Sequence, residues 1–340
     1  MRLFPLKKPT LALSLSEETL CMVNITQKWR KPILQQVKSV PLPAGVLRLS
    51  SAKPNIENTE LFVDQLRTLV APIKKPISVA ISLPDLCART SVFDFATFPT
   101  KKSEQTALLT WRFQQDLKLD TTQSRLAYGV YVPTSITDSP APDNPEKVKV
   151  LGTAIRNEII EQFERACLQV NLVPVSVGIA GLNIFDLYQP HIQDMLEAED
   201  HRSTSSSSGA MFLFVSHWGF TFLGFHEGCP RFIRTKSIVI KPDPSCQQGE
   251  TPHFKTEAGE GENNGHADAS SREADSQNPL GPNTADSPYP PYTSMKVGKE
   301  ILATLQYYIE MFPLNETTPL PSNLFVATDL EHGYTLIPPI

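Results

Sequence analysis

Long apolar runs, basic tracts and paired cysteines are all missing from this chain of 340 residues. Its longest apolar stretches, such as Met211 to Val215, fall far short of the ~20 residues that cross a bilayer as a helix, so no membrane span is expected. The formal net charge is -5 and no long Lys/Arg run occurs, which excludes the electrostatic footprint of a nucleic-acid binder. Five cysteines (Cys21, Cys87, Cys167, Cys229, Cys246) are odd in number and scattered, with no CxxC pair. They argue against a disulfide framework and for reduced thiols in a cytosolic protein. The start, MRLFPLKKPT, is too short and too charged for a signal peptide. Glycine is scarce beside proline, 16 against 30, which points to stiff connections or disordered stretches.

What is present reads as a globular α/β protein, long enough for one large core or two ordinary ones. Leu11–Leu15 and Thr19–Ile25 are strand-like, joined by the polar turn Ser16-Glu17-Glu18 as a hairpin. Lys38–Pro43 is extended. Apolar residues Leu61, Phe62, Leu66, Leu69 and Val70 recur at helical spacing, with Asn58 or Thr59 as N-cap and Pro72 as the stop. Ile77–Leu83 and Arg89–Phe95 are strands. A helix capped by Ser103 carries Ala107, Leu108, Trp111 and Leu117 on one face. Strands at Arg125–Val132 and Lys147–Leu151 flank a proline-rich loop, Pro133 to Pro145. Asn157 caps a helix with the stripe Ile160, Phe163, Cys167, Val170. Strand Val173–Val177 follows, then a Gly178/Gly181 turn and a helix ending before Pro190.

Four consecutive serines make His201 to Gly209 a flexible linker. Strands Met211–Val215, Phe220–Phe225 and Arg231–Ile240 open a second α/β unit. Between Lys241 and Tyr292 the only Leu, Ile, Val or Met is Leu280. Such a stretch cannot bury enough apolar surface to offset an ordering cost of roughly 1–2 kcal/mol per residue, and disorder is expected. A helix from Ser294, with Met295, Ile301, Leu302, Leu305, Tyr308 and Phe312 on one face, precedes a last strand, Asn323–Ala327. No repeat of solenoid period occurs.

This order of elements, with PLPAG, ISVAISLP, ARTSVFDF, RNEIIEQFERACLQVNLVPVSVGIAGLNIFDL, MFLFVSHWGFTFLGFHEGCPRFIRTKS and VGKEILATLQYYIEMF in sequence, resembles the PilM family of type IV pilus assembly proteins. The resemblance spans roughly residues 1–240 and 293–330. It implies an actin-like (ribonuclease H-like) α/β fold, with subdomain 1A from residues 1–76 and 154–202, and 1C from 77–153. Subdomain 2A takes 209–240 and 293–340; 203–208 is the serine linker and 241–292 a disordered acidic insert where subdomain 2B is missing.

The resemblance also marks where nucleotide loops belong: Ser14, Ser16, Ser216, Gly219, Glu300 and Thr328 are the matching positions. Phosphate loops need glycines so that backbone N–H groups approach the oxygens closely. Leu13-Ser14-Leu15-Ser16-Glu17-Glu18 has no Gly where the family has Asp-Ile-Gly, and turns two carboxylates toward the phosphates. Ser216-His217-Trp218-Gly219 keeps a glycine without the carboxylate that Mg²⁺ prefers. Thr328-Asp329-Leu330 stands where a Gly-Gly turn is expected. ATP and Mg²⁺ are therefore disfavoured, and no cofactor and no catalytic residue is expected.

Other suggestive residues have plainer readings. His217, His226 and Cys229 match no zinc spacing and read as turn or surface residues. Glu17 and Glu18, or Asp85 near Cys87, could form an acid–base pair or an activated thiol, but solvated turn charges fit better without a nearby His. Trp111 reads as core. The resemblance implies a non-catalytic cytosolic scaffold, peripheral to the inner membrane, that docks the N-terminal peptide of a bitopic PilN-like protein in a groove between 1A and 1C. That groove is expected along Ile77–Leu83 and Arg89–Phe95, with pilus motor ATPases as a further partner class. The rival implications are a working PilM-type ATPase and a GspL-like type II secretion adaptor.

Overall fold

The computed structural model describes residues 9–28, 31–70, 75–131, 148–200, 209–226, 228–238, 240, 291–312, 321 and 323–330. The serine linker, the acidic insert, the 133–145 loop and Pro72 lie outside them. Three sheets organise the rest. The first has the order β3-β2-β1-β4-β8, from β1 (Leu11–Leu15), β2 (Thr19–Lys28), β3 (Lys31–Pro41), β4 (Ile77–Leu83) and β8 (Leu172–Ile179). β1, β2 and β3 form an antiparallel meander, while β1, β4 and β8 run parallel. In β1 the leucines alternate with small residues, so Leu11, Leu13 and Leu15 enter the core together. Above them lie helices α1 (Thr59–Leu69) and α3 (Asn157–Leu168), whose Phe62 and Phe163 meet edge to face at 5.9 Å. Asn58 caps α1, its side chain accepting the Leu61 N–H at 3.0 Å.

The C-terminal sheet repeats that plan with the order β11-β10-β9-β12: β9 (Gly209–Ser216), β10 (Gly219–His226), β11 (Cys229–Ser237) and β12 (Asn323–Thr328). β9 is buried on both faces, which is why GAMFLFVS reads as an unbroken apolar run. Met211, Leu213 and Val215 meet α5 (Pro291–Met311); Phe212 and Phe214 face α4 (Ala180–Asp200). Phe185 of α4 packs edge-on against Phe212 and Phe225, at 5.4 and 5.6 Å. The third sheet, β5-β7-β6, joins β5 (Arg89–Phe95), β6 (Ser124–Tyr131) and β7 (Val148–Arg156) under α2 (Lys102–Leu117). Among the described residues no helix is long and apolar enough to cross a membrane, which leaves β-barrels unaddressed.

Several expectations need correcting. β4 is hydrogen-bonded between β1 and β8 and so belongs to the first sheet, while β7 runs on to Arg156. The buried stripe of α2 is Leu109 and Phe113, one turn apart, against Phe93 and Val150. Trp111 lies about 200° around the helix from Leu109 and is 51% exposed. The α5 face is Val297, Ile301, Leu305 and Tyr308, with Met295 and Leu302 exposed. Lys101 and Arg156, not Ser103 and Asn157, sit at the N-cap positions of α2 and α3. α4 starts directly from β8 with no intervening turn and continues through Pro190. That proline removes one helical hydrogen bond, but Phe185 and Ile192 are buried on either side and hold both halves to the core.

Candidate functional site

The turn joining β1 to β2 faces the turn joining β9 to β10 across the cleft between the two larger sheets, with Glu18 Oε2 3.7 Å from His217 Nδ1. That spacing is an ion-pair distance and too long for a hydrogen bond. Ser16 closes its own turn: its N–H donates to the Thr19 carbonyl and its Oγ accepts the Thr19 N–H at 3.0 Å. Glu17 does not look toward the cleft. Its Oε1 accepts the Leu49 N–H at 3.0 Å, correcting the expectation of two phosphate-facing carboxylates. Ser14 is an exposed strand residue between Cys21 and Ser82.

On the opposite side, buried Ser216 donates to Asp329 Oδ2 at 2.9 Å, and Thr328 Oγ1 accepts the Leu330 N–H at 3.0 Å. Gly219 has φ +138°, a region that favours glycine. A Cβ there would lie 2.0 Å from the Lys236 carbonyl oxygen and 2.7 Å from the Ile238 nitrogen. The close approach this glycine permits is therefore taken by the protein's own chain. Ile238 and Ile240 donate to the Trp218 and His217 carbonyls at 2.8 and 3.0 Å. Glu300 pairs with Lys236 at 3.2 Å. Ser216 is thus held by Asp329, Thr328 closes on Leu330 just beyond it and pairs in register with Val215, and Glu300 is held by Lys236, whose carbonyl packs against Gly219. Among the described residues no group of three His, Cys, Asp or Glu side chains could hold a metal ion. Of the positions expected to face a magnesium nucleotide, Ser16, Ser216, Gly219 and Glu300 are engaged by the chain itself.

Asp85 is not the solvated turn charge expected from the sequence: it is 4% exposed. Its Oδ2 accepts the Gly181 N–H in the first turn of α4, and its Oδ1 accepts the Thr221 hydroxyl of β10, both at 2.9 Å. Thr221 in turn lies 3.0 Å from the Thr235 hydroxyl of β11. Gly181 is required, since a Cβ would come 2.5 Å from Asp85 Oδ1. One carboxyl therefore ties the end of the first sheet to α4 and to the C-terminal sheet. Burial raises its pKa to about 6, against the two hydrogen bonds that favour the charged form. Burial, with Asp85 beside it, also holds the Cys87 thiol far above its ordinary range, so Cys87 is no activated nucleophile. The only signal for Asp85 in the sequence is a carboxylate lodged between Leu83 and Leu86. Cys229 is likewise buried, and His226 Nδ1 lies 3.2 Å from Arg231.

A groove of about 610 Å³ opens elsewhere, between the small sheet and the first sheet. Its walls are β6 and β8, each the edge strand of its sheet; Leu151, Thr153 and Ile155 of β7 line it between them. Ala127 lies exposed along one wall. At one end Arg125 holds Glu164 of α3 through two bonds of 2.5 and 3.1 Å. Ile77–Leu83 and Arg89–Phe95, the expected lining, do not line this groove. Strand order puts β4 inside the first sheet and β5 on the far edge of the small one, beside β11. Two strand edges facing one groove can receive an extended peptide through main-chain hydrogen bonds.

No protein-family model matches the sequence, and no curated protein matches it. Among solved structures the chain is similar to a PilM–PilN type IV pilus biogenesis complex. The TM-score is 0.51 at 17% identity, covering 68% of this chain and 62% of that one. This chain thus spans 62% of that neighbour's length. Weaker likenesses reach a Bacteroides thetaiotaomicron protein with an actin-like ATPase fold and unknown function (TM-score 0.32, 12% identity, 67% and 70% coverage). Another is to the cytoplasmic domain of EpsL, an inner membrane component of the type II secretion system of Vibrio cholerae (0.34, 9%, 65% and 69%). With two sheets of matching strand order up to the fourth strand and a small sheet set beside them, the chain has an α/β fold similar to that of the PilM–PilN complex structure.

Proposed function

We propose that this chain is a non-catalytic docking component of a type IV pilus-like assembly, seating the extended N-terminal peptide of a PilN-like membrane protein between β6 and β8. The observation that carries this reading is the pair of strand edges facing one groove. The likeness in fold to a PilM–PilN complex supports the choice of partner. In this reading the chain works on the cytosolic side of the inner membrane and reaches it only through that partner. The interlobe cleft takes no ATP, because its glycine and hydroxyl groups are engaged by the chain itself.

Calorimetry with a synthetic peptide copying the cytosolic N-terminus of a PilN-like protein from the same source tests the proposal. Binding is expected, weakened at least about tenfold (~1.4 kcal/mol) by Ala127→Trp, which obstructs the groove from an exposed position. No heat with the wild-type chain overturns it. Mg-ATP is expected to leave the melting curve unmoved, whereas a ligand at 100 times its Kd adds about 2.7 kcal/mol. A clear shift there would return the cleft to nucleotide binding.

A further inference from the structure

The two ends of the β6/β8 groove carry charge in different states. At the start of β6, Arg125 is held by both carboxylate oxygens of Glu164, so that end keeps no net charge. A guanidinium forked onto a carboxylate has its charge matched and its donors occupied. At the far end of β6, Asp186 of α4 lines the groove beside Tyr131. Partial burial raises the Asp186 pKa above the ordinary carboxylate range, and among the described residues no cation offsets that rise. Its negative charge is the one formal charge of the groove lining that is left unmatched.

The neighbouring ring is placed to matter. The Tyr131 phenol is itself held above its ordinary range, by burial and then by Asp186, which sets ring and carboxylate close together. Gly129 makes room for that ring. A Cβ there would lie 3.0 Å from Tyr131 Cε2 and 3.3 Å from its Oη, so the side chain folds back over Gly129 along β6. An aromatic ring beside an unmatched carboxylate is a receptor for a Lys or Arg side chain, which gains from both. Between the two ends the floor is Leu151, Thr153 and Ile155, apolar apart from one hydroxyl. The run of β6 from Arg125 to Tyr131 spans roughly 20 Å, so a strand that fills the groove needs about seven residues.

Resting on the reading that this groove docks an extended peptide, we infer that its Asp186–Tyr131 end selects a basic side chain of that peptide. The occupant is then a PilN-like strand with apolar side chains at alternate positions over the floor. It carries one Lys or Arg about six residues from the position that meets the Arg125–Glu164 pair. Asp186 is the specificity residue, and the matched pair at the other end adds no charge preference.

Calorimetry with the PilN-like N-terminal peptide, its single Lys or Arg to Gln variants and its N-acetylated form tests this against wild type, Asp186→Asn and Asp186→Lys. Asp186 is exposed, and unchanged melting curves would confirm that both variants fold. One Gln replacement in the peptide is expected to weaken binding about tenfold. Asp186→Asn should weaken the parent peptide equally and leave the affinity of that Gln variant unaltered, the mark of a direct pair. Asp186→Lys should lose the parent peptide and recover binding when the same peptide position carries Glu. Equal binding of the parent by wild type and Asp186→Asn overturns the selection and leaves peptide docking standing. So does a loss on N-acetylation that matches the loss in Asp186→Asn, which would give the carboxylate to the peptide's amino end. No binding of any peptide by wild type overturns docking itself, and this inference with it.

Discussion

The interlobe cleft and the β6/β8 groove both lie where separate sheets meet, yet they differ in what their polar groups are doing. At the cleft, Ser16 is bonded within its own turn, Glu17 turns away to Leu49, Ser216 is bonded to Asp329, and Gly219 is packed against Lys236. In the groove, two strand edges offer backbone groups that, among the described residues, no neighbouring strand takes. Ligand binding needs hydrogen-bonding capacity that folding has left over. By that criterion the cleft reads as a joint, and the groove is the place proposed for docking.

The sharpest way to break this contrast is Gly219→Ala. If the close approach at Gly219 serves packing, the methyl group must displace the β11 end, and a loss of roughly 3–5 kcal/mol in urea unfolding is expected. Gly45→Ala, at φ +81° with nothing within 4 Å, should cost only about 1 kcal/mol. Equal losses would show that backbone conformation, not contact, sets the requirement.

A second, smaller effect concerns Asp85. Its pKa in the folded chain, about 6, lies above the ordinary 3.8. Between roughly pH 4 and 6 the folded state therefore binds more protons than the unfolded one, and this group's contribution to stability falls as pH rises, levelling above 6. The total is of the order of 2–3 kcal/mol. Urea unfolding of wild type and Asp85→Asn across that range should differ by this slope. Parallel profiles would mean that Asp85 is hydrated and that the joint is open. The smallest effect is expected at Glu18→Gln. Glu18 is half exposed and 3.7 Å from His217, so less than about 1 kcal/mol should be lost. A larger loss would make that contact a true latch across the cleft.

Local patterns were legible in the sequence and long-range ones were not. The β1–β2 hairpin, the Asn58 cap, the α3 stripe and the apolar β9 each depend on neighbours a few residues away. The placing of β4 inside the first sheet depends on β8, ninety or so positions further along, and that pairing keeps β4 out of the groove wall. Asp85 was misjudged for the same reason, since its partners Gly181 and Thr221 come from distant segments. Trp111 differs in kind: helical spacing groups it with Ala107, Leu108 and Leu117, while packing buries Leu109 and Phe113 on the opposite side.

The geometry of the groove has a mechanical corollary. A peptide strand lying between β6 and β8 could bond along both flanks, stitching the small sheet to the first one as a splint joins two boards. Tension applied along such a strand loads its hydrogen bonds in shear, all at once, instead of peeling them singly. A short tether on a membrane-bound partner could then tug the whole body without coming loose.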